Sequence, residues 1–100
     1  MIIFNFYRLF EDVDTLKETF YKTKIIPLKV IKLGDKKLKL FAIIVFENKH
    51  YSCYFLCSEK WYYYDDSSVP KIKFVGDHID LLKHKPLPTK NGTLYFYNKI

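Results

Sequence analysis

Alternating hydrophobic and polar positions dominate this chain and predict β-strands that each bury one face. The alternation is clearest over Ile2–Leu9 and over Lys71–Val75. Between them, Leu38–Phe46 begins by alternating and then becomes continuously apolar, which is typical of a strand covered on both faces. We therefore predict that Leu38–Phe46 is the central strand. Four further strands are predicted at Ile25–Leu33, His50–Cys57, Trp61–Tyr64 and Thr93–Tyr97.

Short polar segments between these stretches predict tight turns, at Gly34–Asp35, Glu47–Lys49 and Ser58–Lys60. Connections this short join neighbouring strands in antiparallel order, so the strands should form a meander. Pro27 lacks a backbone donor, which favours a sheet edge for its stretch. The expected fold class is α+β, a twisted and mostly antiparallel sheet of about five or six strands with one or two short helices. Residues 1–100 should form a single domain.

Helical patterns are few and short. Glu11–Lys22 has apolar residues at helical spacing over one brief stripe, so a helix and an ordered loop are both open. Asp77 predicts an N-cap for a helix that continues to Leu82, with Ile79 and Leu82 facing the core. The proline-containing segment Lys85–Gly92 is expected to be a surface loop.

The composition is that of a folded intracellular domain. Hydrophobic residues make up 49% of the chain and aromatic residues 19%, enough for a core without disulfides or metal. No apolar run is long enough to cross a bilayer, and the N-terminus lacks a signal-peptide pattern. Two cysteines, Cys53 and Cys57, are too few for a disulfide framework. We therefore expect a soluble protein of the cytoplasm or nucleus with no membrane partner.

The net charge of +6 raises nucleic acid as a partner, but the kind of basic residue argues against it. Among the 17 basic residues only Arg8 is an arginine, whereas specific base and phosphate recognition relies on the bidentate guanidinium group. The lysines are also scattered along the chain. A basic nucleic-acid-associated protein is therefore an alternative and not the main prediction.

The most informative stretch is His50–Val69, which reads HYSCYFLCSEKWYYYDDSSV. With Leu38–Lys49 before it, it resembles the "Y-x-L-x-A-V-I-x-H…G-H-Y-x-x-Y" and "W-Y-x-F-D-D-x-x-V" blocks of the ubiquitin-specific proteases, which are cysteine-dependent deubiquitinases. Met1–Leu9 resembles the family's "LIIHLKRF" strand, Ile25–Leu33 its "V-x-F-P-x-x-L-D-L" segment, and Thr93–Tyr97 its "A-Y-x-L-F-Y" strand. These blocks keep the family's order, cover nearly the whole chain and correspond to the palm, the C-terminal half of the catalytic domain.

The resemblance implies that His50 occupies the general-base position and Asp65 the position of the carboxylate that orients the base. Asp66 would be the family's second acidic residue. A cysteine thiolate needs an imidazole within hydrogen-bond reach, and a carboxylate on the other ring nitrogen fixes the tautomer. Two antiparallel strands joined by a short turn allow His50 and Asp65, fifteen positions apart, to meet.

The nucleophile is the part of the site that these residues lack. The family's glycine-rich "N-x-x-C" block does not occur in the sequence. Cys53 and Cys57 lie at odd offsets from His50 on one predicted strand, so both thiols should point to the opposite face. Lys49 stands where the family usually has a glycine beside the channel for the ubiquitin tail, and the loop before His50 is short.

Other candidate residues have structural explanations. Four residues along a strand would separate Cys53 from Cys57 by about 13 Å, which is too far for two ligands of one zinc ion. His78 and His84 flank the predicted helix without completing ligands and are expected at the surface. The aromatic run Tyr62–Tyr64 is expected to pack in the sheet rather than to stack bases. We therefore expect no metal and no cofactor.

The main prediction is a non-catalytic pseudo-deubiquitinase that serves as a binding or structural module in a larger assembly. Its partner would be a protein that covers the face where the family's thumb lobe docks, or a second copy of the chain. Ubiquitin is a further partner that the family suggests, although Lys49 argues against the family's mode of binding. The alternative that keeps catalysis is the His/Asp half of a split cysteine deubiquitinase, completed by another chain that carries the cysteine.

Overall fold

A computed structural model describes residues 1–5, 9–12, 17–20 and 24–100, with side chains described for 1–5 and 24–100. Seven of its strands form one antiparallel sheet, and two short strands form a separate hairpin. The elements are β1 (Ile2–Asn5), β2 (Leu9–Asp12), β3 (Lys17–Phe20), β4 (Val30–Leu33), β5 (Lys36–Glu47), β6 (His50–Cys57), β7 (Lys60–Tyr64), β8 (Ile72–Gly76), α1 (His78–Lys83), α2 (Pro88–Asn91) and β9 (Gly92–Lys99).

The order of strands in the main sheet is β1-β9-β5-β6-β7-β8, and β4 also pairs with β5. β5 pairs with three strands, so the prediction of a central strand at Leu38–Phe46 is confirmed. The sheet has seven strands, more than the five or six predicted. Because the two helices span only six and four residues, the protein is sheet-dominated and the α+β description fits it loosely. No helix in the described residues is long and apolar enough to span a membrane.

Two tight hairpin turns set the register of the central strands. Asn48 and Lys49 have φ angles of 52° and 60°, and Ser58 and Glu59 have φ angles of 49° and 64°. Two-residue turns with positive φ match the right-handed twist of the strands they join. The first turn places Glu47 opposite His50, the first residue of β6. The turns predicted at Glu47–Lys49 and Ser58–Lys60 are both confirmed.

The core lies on one face of the sheet, where α1 and α2 contribute buried residues. Tyr54 and Tyr95 are fully buried there and keep their hydroxyl groups hydrogen-bonded, to the carbonyl oxygens of Pro86 (3.0 Å) and Pro88 (2.7 Å). Burying a tyrosine costs little once its hydroxyl has a partner. The core residues are Leu38, Leu40, Ile43, Val45, Tyr54, Trp61, Tyr63, Leu81, Tyr95 and Tyr97.

The segment between the first and fourth strands differs from the prediction. β2 pairs with β3 in an antiparallel register from Leu9 opposite Phe20 to Asp12 opposite Lys17. The helix and the ordered loop that the sequence left open over Glu11–Lys22 are therefore both wrong for the described residues of that range. The stripe of helical spacing was too short to outweigh strand pairing. The remaining residues of the range, and residues 6–8 of the predicted first strand with Arg8, lie outside the described residues.

The helix after Asp77 is present, but it buries a different residue from those predicted. The Asp80 carboxylate accepts a hydrogen bond from the Asp77 backbone N–H at 2.9 Å, so the predicted N-cap is confirmed with the reciprocal contact of a capping box. Ile79, predicted to face the core, is 67% exposed, and Leu82 is only half-buried, whereas Leu81 is fully buried. A helix of six residues presents a single position to the core, and the apolar pattern did not identify which one.

The prediction of a surface loop at Lys85–Gly92 is also wrong. Part of the segment forms α2, and Pro86, Pro88, Thr89 and Asn91 are buried. The Asn91 amide donates to the carbonyl oxygen of Phe46 at 2.9 Å, which joins α2 to the central strand. Proline and polar residues are typical of surface loops, whose backbone groups bond to water. In this segment the hydroxyl groups of core tyrosines donate to the carbonyl oxygens of Pro86 and Pro88 instead.

Candidate functional site

His50 and Asp65 meet at the ends of neighbouring strands. His50 is the first residue of β6, and Asp65 directly follows the last residue of β7. The register of β6 and β7 pairs Cys53 with Tyr64, so Asp65, which follows Tyr64, lies beside the beginning of β6. The distance between His50 Nε2 and Asp65 Oδ1 is 2.8 Å, so the contact predicted between these two residues is present.

Ser67 completes the environment of Asp65 and was missed by the sequence reasoning. Its backbone N–H donates to Asp65 Oδ1 at 3.0 Å and its hydroxyl donates to the same oxygen at 2.7 Å. An aspartate that accepts from the backbone two residues later forms an Asx turn, and the Asp-Asp-Ser order was the available signal for it. Hydrogen bonds from the Ser67 hydroxyl, the Ser67 backbone and His50 together lower the pKa of Asp65 to about 2.

Asp66 contributes charge rather than a hydrogen bond. Its Oδ1 lies 3.7 Å from His50 Nε2, and its side chain is 66% exposed, compared with 17% for Asp65. Of the two adjacent carboxylates, Asp65 is therefore the one that orients the ring, as the resemblance implies. Asp66 adds a second negative charge beside the same nitrogen, in a position that solvent screens.

The ionised state of Asp65 fixes the tautomer of His50. A carboxylate can only accept hydrogen bonds, so Nε2 must carry the proton and donate it. In the neutral ring Nδ1 then holds a lone pair. No hydrogen bond to this nitrogen is found among the described residues, and the side chain of His50 is 41% exposed. Nδ1 is therefore the atom of the site that can accept a proton from an incoming group.

Neither cysteine of the chain is placed to deliver that proton. Along β6, His50 shares the core face of the strand with the buried residues Ser52 and Tyr54. Cys53 lies on the other face, paired with Ile44 of β5. Burial raises the pKa of the Cys53 thiol, which disfavours the reactive thiolate. Cys57 is exposed at the far end of the strand.

Three side chains at the site carry atoms that are able to ligate a metal ion. Nitrogen or oxygen atoms of His50, Asp65 and Asp66 lie within 4.8 Å of one another. A metal ion at this place would have to displace the proton on Nε2 and compete for Asp65 Oδ1, which already accepts hydrogen bonds from His50 and from both donors of Ser67. The hydrogen bonds of Asp65 therefore fit the orientation of the His50 imidazole better than the binding of a metal ion.

The other two histidines are half-buried and have structural partners, so their predicted surface position is wrong. His78 Nε2 donates to the carbonyl oxygen of Pro27 at 3.1 Å. Because the Tyr54 hydroxyl donates to the carbonyl oxygen of Pro86, it accepts from Nδ1 of His84, at 2.8 Å. Burial lowers the pKa of both imidazoles. Both histidines connect α1 and the segment after it to the rest of the fold.

Comparison of the chain with protein-family models and with curated proteins finds no match.

Proposed function

We propose that this chain is a non-catalytic relative of the ubiquitin-specific protease palm that serves as a binding or structural module. The observation that carries the proposal is the contact between Asp65 and Nε2 of His50, with Nδ1 of the ring left open. An oriented imidazole of this kind is the base half of a cysteine protease site. Support for the relationship to that family comes from this geometry and from the sequence blocks that keep the family's order.

The absence of catalysis follows from the placement of the thiols. Hydrolysis through a covalent intermediate requires a thiolate within hydrogen-bond reach of the base. Both cysteines of the chain lie on the face of β6 that His50 does not occupy, and burial of Cys53 raises the pKa of its thiol. Within the part of the chain that the structure describes, His50 therefore has no thiol beside it to activate.

Lys49 supports a departure from the family's mode of binding ubiquitin. It has a positive φ of 60°, a conformation that glycine adopts without cost and that lysine rarely adopts. The turn therefore has at Lys49 a backbone conformation that suits glycine, and it carries a long charged side chain next to His50. A lysine at this place would occupy space beside the channel for the ubiquitin tail.

The split deubiquitinase is a second candidate, and the exposure of His50 favours it. Nδ1 has no hydrogen-bond partner among the described residues, and 41% of the side chain is open to solvent. A cysteine from another chain would be able to approach the nitrogen that a nucleophile needs. In that case the same chain would provide the base and its orienting carboxylate, and the partner would provide the thiolate.

Turnover of a ubiquitin-amide fluorogenic substrate by the purified chain tests whether the chain is catalytic by itself. We expect no turnover above that of the His50→Ala variant. Activity in the purified chain that disappears in His50→Ala and in Asp65→Asn would overturn the proposal. Labelling by ubiquitin with a C-terminal electrophile, compared with Cys53→Ser and Cys57→Ser, would then identify the nucleophile.

The second candidate has its own test. The chain is purified from its source cells with any stably bound partner, and the complex is treated with the same ubiquitin electrophile. Labelling of a cysteine in the partner that depends on His50 would establish the split enzyme. A complex in which labelling is unchanged by His50→Ala would exclude it.

A further inference from the structure

The edge strand β8 presents unpaired backbone groups to solvent. It is the last strand in the sheet order and pairs only with β7 among the described strands. The backbone N–H of Asp65 donates to the carbonyl oxygen of Lys71 at 2.9 Å, just before the strand begins. Because antiparallel pairs alternate between bonded and non-bonded positions, the N–H and C=O groups of Ile72 and Phe74 point away from β7. These groups form a free hydrogen-bonding edge.

The two side chains of this edge on one face of the sheet are large, apolar and exposed. Ile72 is 51% exposed and Phe74 is 64% exposed. Phe74 continues an aromatic row across the sheet, since its ring lies edge-on to Tyr62 with centroids 5.6 Å apart, and Tyr62 stacks on Phe55 at 5.6 Å. An additional strand would extend this row by one position, and such cross-strand pairs stabilise sheets. Among the described strands, the row therefore ends at Phe74 on β8.

The opposite face of the same edge carries positive charge. Lys71 and Lys73 are both exposed, and neither forms an ion pair among the described residues. Lysines on an edge strand disfavour pairing with a second basic strand and permit pairing with an acidic one. The charge of the edge thus selects among the strands that its backbone can bind.

We propose that β8 is a docking edge for an extended acidic segment of a partner protein. The segment adds as an antiparallel or parallel strand, hydrogen-bonds to the backbone of Ile72 and Phe74, and alternates apolar residues with aspartate or glutamate. Its apolar residues lie beside Phe74 on the aromatic face. Its acidic residues lie beside Lys71 and Lys73 on the other face.

The β8 strand of a second copy of the chain is the other candidate for this edge, and its charge argues against it. Pairing of β8 with itself would bring Lys71 and Lys73 of one protomer beside the same lysines of its partner. Like charges placed opposite each other destabilise a strand pair. The net charge of +6 adds to the repulsion between copies.

The test uses a capped synthetic peptide in which glutamate alternates with valine, titrated into the isotope-labelled chain and followed by NMR. We expect the backbone amides of Ile72 and Phe74 to shift and to become protected from hydrogen exchange. Reversing both charges, with Lys71→Glu and Lys73→Glu, should weaken binding about tenfold, since each exposed pair contributes modestly. The reversed variant should instead bind a peptide in which lysine alternates with valine.

Three controls keep the proposal falsifiable. Reversal of two exposed lysines outside the edge, Lys90→Glu with Lys99→Glu, changes the net charge equally and should leave binding of the glutamate peptide close to that of the unmodified chain. The same peptide N-methylated at alternate residues should not bind, because it lacks the backbone donors. His50→Ala should bind normally, so a failure here is distinct from a failure of the proposed function.

Several outcomes would overturn the inference. One is equal binding of the glutamate peptide to the edge-reversed and the control-reversed variants, since charge at β8 would then be irrelevant. Another is binding without protection of the Ile72 and Phe74 amides. Sedimentation of the chain alone should give a monomer, and a dimer abolished by Lys71→Glu with Lys73→Glu or by Phe74→Thr would assign the edge to a second copy.

Discussion

At His50 the location of one proton determines what the site can do. Ser67 and His50 together hold the pKa of Asp65 near 2, so this carboxylate is ionised throughout the physiological range. An ionised Asp65 accepts from Nε2 and leaves the lone pair on Nδ1, to which no hydrogen bond is found among the described residues. Among the described residues, the arrangement orients an imidazole and places neither cysteine beside it.

The contribution of Asp65 to stability should depend on pH. Its pKa is about 2 in the folded protein and 3.8 ordinarily, so the folded state favours the carboxylate and the stabilisation is complete above about pH 4. It is lost as the pH falls from about 4 through about 2. Denaturant unfolding of the native chain and of Asp65→Asn should therefore show a difference in unfolding free energy that narrows over this interval.

Asp66→Asn is the matched control for this measurement, because its carboxylate lies 3.7 Å from His50 Nε2 and accepts no hydrogen bond among the described residues. We expect its effect on unfolding free energy to be smaller than that of Asp65→Asn at neutral pH. If the difference between the native chain and Asp65→Asn stayed constant from neutral pH to about pH 2, the hydrogen bonds from Ser67 and His50 would not stabilise the ionised form.

Glycine at position 49 should stabilise the turn more than the native lysine does. It sits at a positive φ of 60°, where a residue with a Cβ pays a conformational cost and glycine does not. Lys49→Gly should raise the free energy of unfolding by about 1 kcal/mol, measured by denaturant titration. Lys49→Ala removes the charge but keeps the Cβ, and Asn48→Gly replaces a residue that already tolerates this conformation, so both should gain less. Equal gains in Lys49→Ala would trace the effect to charge instead.

At the scale of elements, α1 is held by its cap and by one buried side chain. Asp77 and Asp80 form the reciprocal contact at its N-terminus, while Leu81 enters the core. A helix this short has little stability of its own, so its position depends on tertiary contacts. The same contacts place His84, which donates to Tyr54, at the end of the helix.

Leu81→Ala should destabilise the protein much more than Ile79→Ala. Leu81 is fully buried and its truncation leaves a cavity, which costs about 2–5 kcal/mol. Ile79 is 67% exposed, so its truncation should change the unfolding free energy by no more than about 0.5 kcal/mol. Denaturant titration of the two variants compares them directly. Equal losses would mean that the helix presents a different face to the core.

The strands of the main sheet, their turns and the N-cap of α1 were predictable because each carries a local signal. The β2–β3 hairpin, the buried face of α1 and the placement of α2 were not predictable in this way. Leu38–Phe46 could be recognised as central from its apolar run, and Asn48–Lys49 as a turn from its polarity. The buried position of Leu81 and the interior placement of Pro88 depend instead on tyrosines from distant strands, which no local pattern reveals. Ser67 belongs to the same class, since its role depends on where Asp65 points.

At the scale of the whole molecule, the last strand holds the first and the central strands together. β9 lies between β1 and β5 in the sheet, and it contributes Tyr95 and Tyr97 to the core. The Tyr97 hydroxyl also donates to the carbonyl oxygen of Leu28 at 2.6 Å, which ties the segment before β4 to the same strand. β9 therefore connects the N-terminal strand β1 to the central strand β5.

Deletion of β9 should abolish cooperative folding, whereas deletion of its exposed end should not. A chain that ends at Asn91 loses two core tyrosines and leaves both β1 and one side of β5 without a partner, and unpaired buried backbone groups are costly. A chain that ends at Asn98 loses two exposed residues, the pairing of Lys99 with Leu38 and the bond from the Ile100 N–H to the Lys37 carbonyl, so it should retain the native sheet with a modest loss of stability. Amide hydrogen exchange on both chains compares them residue by residue. Protected amides in β5 and β6 of the shorter chain would show that the hairpin of these two strands folds without β9, and β9 would then not be required for cooperative folding.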